Sequence, residues 1–219
     1  MISAASARSR LRLGLPLVSW HYLPMLTAFQ KLHPEIEFDM TFDNLKVDVI
    51  DEGLDVVLRA GDVGDPRLAS HDLGSFQLYI VASPEYLTTR GRPTHPRDLA
   101  SHDCIHYRMP HSGQLQVWPL NREEGDPIPV LPARLTCNND AARLQFALDG
   151  LGLTCMAEYS VREHLEARRL EAVLEPFLTY RHTFRVLWPQ DAAVSAELRT
   201  FIDFVIAWFT PTSMSRTQG

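Results

Sequence analysis

Hydrophobic and polar positions follow two periods along this chain. Leu11-Arg-Leu-Gly-Leu15 alternates and predicts a strand. Tyr22, Met25, Leu26 and Phe29 then fall at i, i+3, i+4 and i+7, which predicts a helix over 20–32, with Ser19 as its N-cap and His33-Pro34 as its stop. Ile36, Phe38, Met40 and Phe42 alternate with Glu37, Asp39 and Thr41, the pattern of a strand near a sheet edge. A short helix is expected over 46–52, with Gly53 as its C′ residue. The compact apolar run Asp55-Val-Val-Leu-Arg-Ala-Gly61 reads as a buried parallel strand.

The pattern continues with a strand over 76–82, a helix over 84–90 opened by Pro84, and a helical turn over 96–100. The stretch 110–132 is rich in Pro, Gly and charge and predicts a hairpin with loops. Regular pattern returns with a strand over 133–137 and a helix capped by Asn138-Asn139-Asp140 and ended by Gly150. A strand over 153–157, a helix over about 159–168, a strand over 184–188 and a final helix carrying Leu198, Phe201, Ile202, Val205, Ile206 and Phe209 complete the chain.

Strands alternating with helices predict parallel sheets covered by helices. The irregular segment separates two such groups, so the expected architecture is α/β, with two Rossmann-like lobes and a central cleft. Lobe I would hold 11–80 and 187–209 and lobe II 81–186, with 1–10 a disordered leader or linker remnant and 210–219 a disordered tail. Open α/β sheets bind ligands beyond the C-terminal ends of their strands, so the site is expected there, between the lobes.

Composition narrows the function. Net charge is −6, which speaks against a domain that grips nucleic acid by itself. Arg162, Arg168 and Arg169 share one predicted helix with Glu163 and Glu166, which reads as a solvated face. Cys104, Cys137 and Cys155 form no CxxC pair and suit a reducing cytoplasm. The first ten residues lack the apolar core of a secretory signal, and no stretch approaches the ~20 apolar residues of a membrane span. His102, Cys104 and His106 alternate on one segment, but ordinary structure explains them better than a metal site. Neither metal nor cofactor is expected.

Several blocks then resemble a known family. Leu11-Arg-Leu-Gly-Leu-Pro16 with Leu23-Pro-Met-Leu-Thr-Ala-Phe-Gln-Lys-Leu-His-Pro34 is similar to the opening of LysR-type effector-binding domains. Asp43 through Gly61, Val81 through Leu87, Pro93 through Ile105 and Asn139 through Leu153 follow in family order. The resemblance covers about 11–209. It implies a type 2 periplasmic-binding-protein-like fold, a small-molecule effector (a small acid or an aromatic), a homodimer or a tetramer in a full-length form, and control of transcription from the cytoplasm. It implies no membrane. Family members carry an N-terminal winged helix-turn-helix, and this sequence shows no such segment, so DNA contact is expected only through that missing domain.

The candidate ligand-binding residues lie at the expected strand ends and helix starts. Val18, Ser19 and Trp20 begin the first helix, where free N–H groups and the helix dipole suit an anion, although Ser19 could act only as a cap. Asn44 follows the second strand, where turn chemistry is the alternative. Arg59 and Ala60 end the third. A buried Arg59 needs a partner, either an acidic effector or an internal carboxylate such as Asp55 or Asp62, and the internal pair is favoured. Asn138 and Asn139 could offer amides or merely cap their helix. Met156 suits a pliable apolar wall. Tyr107 and Trp188 could line the pocket, though a core role fits each better.

Two other functions would leave their own marks in the sequence. A stand-alone solute-binding protein predicts an export signal or lipid anchor, which the first ten residues lack. An enzyme needs a nucleophile beside a base or paired carboxylates in a cleft, and the chain has no GxSxG, HExxH, Walker A loop or GxGxxG.

Overall fold

The computed structural model describes residues 10–15, 22–42, 49–61, 63–110, 112–121, 129–190 and 194–210. The chain divides into two compact units, 1–75 with 183–219 and 76–182. The sequence had placed these divisions after 80 and after 186. The observed ones fall inside two long strands, β4 (Leu68–Ala82) and β9 (Arg181–Pro189), each of which belongs to both units.

In the first unit the strand order is β2-β1-β3-β9. β1 (Arg10–Leu15) pairs in parallel with β2 (Glu37–Phe42) on one side and with β3 (Val56–Ala60) on the other, and β9 joins β3 antiparallel. Helix α1 (Leu23–Leu32) provides the β1–β2 crossover. It starts later than its periodicity predicts. Its N-cap is Tyr22, and Pro24 sits in the first turn, where its missing N–H costs nothing. Ser19, expected as the cap, lies outside the described residues.

α1 and the last helix, α5 (Ala196–Phe209), cover one face of the sheet. Phe29, fully buried, meets Phe201 edge-on at 5.0 Å and stacks on Phe38 at 5.5 Å. Ser195 caps α5 by accepting from the Leu198 N–H at 3.1 Å. A smaller cluster of Val49, Leu54, Val57, Leu68 and Leu187 lies apart from this core. Of the helix expected over 46–52, residues 43–48 lie outside the described set. The part that follows is a turn, closed by Leu54 N–H to Val49 O (2.9 Å) and Gly53 N–H to Ile50 O (3.1 Å). Gly53 at φ +65 fills the left-handed C′ position of this Schellman closure.

In the second unit β5 (Cys104–Tyr107) lies between β6 (Ala133–Cys137) and β7 (Leu153–Ala157), parallel to both. β4 joins β7 antiparallel, and β8 (Glu171–Val173), which has no clear sequence signal, pairs with β4. Helix α2 (Pro84–Arg90) is capped by Ser83 and the 3-10 turn Pro96–Ser101 by a His95–Asp98 capping box. Helix α3 (Asp140–Leu148) leads from β6 to β7, and α4 (Glu158–Glu166) follows β7. The hairpin expected in 110–132 is short: Arg108 bridges Leu115, and the Met109 N–H donates to Gln114 O at 2.8 Å.

Candidate functional site

The strand ends of the two units supply two separate groups of residues. In the first unit Val18, Ser19, Trp20 and Asn44 lie outside the described residues. Arg59 and Ala60 close β3. Ala60 is exposed and Arg59 half-buried. The Arg59 Nη2 donates to the Val63 carbonyl at 2.6 Å, and the charge of Asp65 acts on it. Burial draws its pKa below the usual arginine value, against the pull of Asp65. Of the internal partners expected, Asp55 is engaged elsewhere, accepting from the Arg12 N–H at 2.7 Å, and Asp62 lies outside the described residues. Asp65 is held at about 2, first by its side-chain bonds from Arg67.

Trp188 is not part of this group. Register pairs Val57 with Leu187, which sets Trp188 level with Val56 at the opposite end of β3, and its ring packs against the unit's main core.

In the second unit Tyr107 ends β5 in register with Cys137, the residue before Asn138. Asn139 caps α3, its Oδ1 accepting from the Ala142 N–H at 2.9 Å, and both asparagines are exposed. Tyr107, Asn138 and Asn139 thus come together around the start of α3.

The organiser of this corner is Arg143, which sequence reasoning missed. Its side chain is buried, 3% exposed. It pairs with Asp140, donates from Nη1 to Gln116 Oε1 (3.2 Å) and the Cys155 carbonyl (3.1 Å), and lies 4.8 Å above the Tyr107 ring. The signal was present, since Arg143 occupies the same helical stripe as Ala147 with Asp140 one turn before it.

Met156 points into a cluster with Val81, Ile105, Ala147, Val161 and Leu170 and is 2% exposed, so its side chain fills core rather than lining a surface. Burial pushes the Cys104 and Cys155 thiols up to about 12, far from the reactive range. His102 and His106 are spent on neighbours: the His102 Nδ1 faces the Tyr86 hydroxyl at 3.2 Å and the His106 Nε2 faces the Leu131 carbonyl at 3.2 Å. Among the described residues no cluster of His, Cys, Asp or Glu could hold a metal ion, and no helix is long and apolar enough to cross a membrane.

Parallel strands whose C-terminal ends carry polar side chains and helix starts define a ligand-binding α/β protein. Its family follows from comparison. Residues 4–210 match the LysR substrate binding domain, and the chain belongs to that family. It is 27% identical over 194 residues to the HTH-type transcriptional regulator CrgA of Neisseria meningitidis serogroup C, covering 88% of this chain and 64% of the regulator. It is 32% identical over 208 residues to the uncharacterized HTH-type transcriptional regulator YhjC of Escherichia coli K12, covering 92% and 68%. Among solved structures, the regulatory domain of Neisseria meningitidis CrgA aligns with TM-score 0.81 at 26% identity, covering 93% of this chain and all of that one. The regulatory domain of AphB from Vibrio vulnificus aligns with TM-score 0.78 at 27% identity, covering 91% and 99%. The fold is thus that of LysR regulatory domains, the type 2 periplasmic-binding-protein-like fold expected. The chain spans 64% of CrgA's length, and these curated relatives are transcriptional regulators.

Proposed function

We propose that this chain is the sensor of a cytoplasmic transcriptional regulator, binding a small acid or aromatic effector and performing no catalysis. DNA contact would belong to a helix-turn-helix domain of the kind the relatives' names record. The observation that carries the reading is the set of residues at parallel strand ends and a helix start: Arg59 and Ala60 in one unit, Tyr107, Asn138 and Asn139 in the other, with Arg143 lying over Tyr107. A thermal-shift screen with small carboxylates, aromatic acids, amino acids and sugars tests it. An effector at 100 times its Kd stabilises by ~2.7 kcal/mol. That is roughly 5–10 °C in Tm for a chain of this size. A flat response across the panel counts against the reading.

We infer that the sensor acts as a homodimer. α1 and β2 form an open groove of about 350 Å³ walled by Leu23, Leu26, Phe38 and Met40. Among the described residues β2 is an edge strand, on which Met40 and Phe42 stay 42% and 38% exposed. Open apolar surface beside an unpaired strand edge supports association, and a second copy of this chain is the occupant proposed. Light scattering at micromolar concentration should give twice the monomer mass, and Met40→Glu should return it to one.

A further inference from the structure

Among the described residues, four buried side-chain nitrogens have no hydrogen-bond partner: His106 Nδ1, Trp118 Nε1, His164 Nδ1 and His182 Nε2. Buried polar atoms are nearly always paired, so each raises the question of what it binds. The first two belong to neighbouring rings, with centroids 5.7 Å apart and planes tilted by 33°. Both residues are closed to solvent, His106 at 2% exposure and Trp118 at 4%.

Their chemistry is complementary. The His106 Nε2 faces the Leu131 carbonyl at 3.2 Å. A carbonyl only accepts, so Nε2 carries the proton and donates it. Burial draws the His106 pKa below the usual histidine value, so the ring is neutral at pH 7 and its Nδ1 is a bare acceptor. The Trp118 indole N–H can only donate. One atom lacks a donor, the other lacks an acceptor, and they do not bond each other. A single hydroxyl supplies both, its oxygen accepting from the indole and its O–H donating to the imidazole. Two hydrogen bonds of about 2.9 Å through one oxygen reach across about 5.8 Å at most. The separation of the two rings lies within that reach.

The surroundings offer no substitute. Trp118 packs with Leu99 and Cys104, and Leu120 and Leu131 lie beside this cluster. The Cys104 thiol is directed at the His102 carbonyl. The segment that carries Trp118 runs beside β5: the Gln116 N–H donates to Tyr107 O at 2.8 Å, and Gln116 Oε1 accepts from Arg143 at 3.2 Å. Trp118 follows two residues on, against the residue before Tyr107.

We propose that His106 and Trp118 form a binding site for one buried water, which accepts from the indole N–H, donates to the imidazole Nδ1 and ties the segment around Trp118 to β5. The site goes beyond effector binding and does not depend on it.

The test is nuclear magnetic resonance on the whole chain, labelled with nitrogen-15, with the indole signal assigned by Trp118→Phe. The Trp118 indole proton should receive magnetisation from water, with the sign of a long-lived bound molecule. The His106 Nδ1 signal should lie displaced from a free imidazole lone pair toward a hydrogen-bonded one, and should move when Trp118→Phe removes the N–H. An indole proton that receives nothing from water, a His106 Nδ1 at the free lone-pair position, or one that ignores the substitution overturns the site. Should Trp118→Phe fail to fold, a high-resolution crystal structure of the unaltered chain decides. One density peak within about 3.2 Å of both nitrogens supports the site, and no peak, or a separate peak for each nitrogen, refutes it.

Discussion

Replacing Arg143 with Met should cost the second unit more than any surface arginine does. Met keeps much of the apolar stem and removes the charge. The Cys155 carbonyl, in a fully buried residue, then loses a donor at 3.1 Å, and Asp140 loses the partner that also spans to Gln116. Breaking a buried pair by removing one member costs about 3–5 kcal/mol. Asp140 lies in the first turn of α3, where the helix dipole returns about 0.3–1 kcal/mol to a carboxylate. The expected loss is therefore near the lower end, about 3 kcal/mol, or roughly 6–12 °C in Tm at this size. Urea unfolding followed by circular dichroism measures it. The control is Arg162→Met, which breaks an exposed i,i+4 pair with Glu158 at 2.9 Å and should cost about 0.3–0.5 kcal/mol. If Arg143→Met costs less than about 1 kcal/mol at unchanged m, the buried pair does not hold this corner together and the reasoning is wrong.

Three further outcomes are expected. Gly152→Ala should destabilise by about 1–3 kcal/mol, since its Cβ would stand 2.4 Å from the Asp103 backbone oxygen and the backbone there is at φ +156; an unchanged urea midpoint would contradict the crowding. Phe29→Ala should cost about 3–5 kcal/mol, since the ring is fully buried against Phe201 and Phe38, and a loss under 1 kcal/mol would mean that α5 and β2 collapse into the space. Stability should also fall with acid in two stages. Burial lowers the pKa of His102, His106, His164 and His182, so the unfolded chain binds protons first, and stability present above pH ~6.5 is lost as pH falls below it. Asp65 and Asp98 are lowered by their hydrogen bonds and add their loss only below pH ~4. A Tm that stays level from pH 7 to pH 5 would rule out the histidine stage.

Much of the fold was readable because period and burial agree. β1, β3 and α5 carry clear apolar patterns and lie where those patterns put them. β4 was read as 76–82 but begins at Leu68, because only Leu68 and Leu73 of its first half face inward while Ser70, His71, Asp72 and Gly74 imitate a loop. β8 is too short to show a period. Topology was enough to put Arg59, Ala60 and Tyr107 at strand ends and Asn138 and Asn139 at the start of α3, which is where they lie. Met156 lies near a strand end in sequence, but sidedness turns its side chain into core, and Trp188 packs against core as the favoured reading had it. Arg143 escaped because its meaning is relational, lying as it does over a tyrosine from a strand far away along the chain.

The division within β4 and β9 has a consequence for how the protein is made. The second unit is one continuous stretch, 76–182, inserted into a first unit whose two pieces lie on either side of it in sequence. Leu13, Met25 and Phe29 are synthesised before the second unit but share their core with Phe201 and Val205 of α5, so that core cannot close until α5 has emerged. During synthesis the inserted unit can fold while β1, α1, β2 and β3 wait with apolar surface uncovered, the state in which a nascent chain is most open to aggregation. A stop codon that removed only α5 would thus abolish the older half of the molecule rather than trim its end.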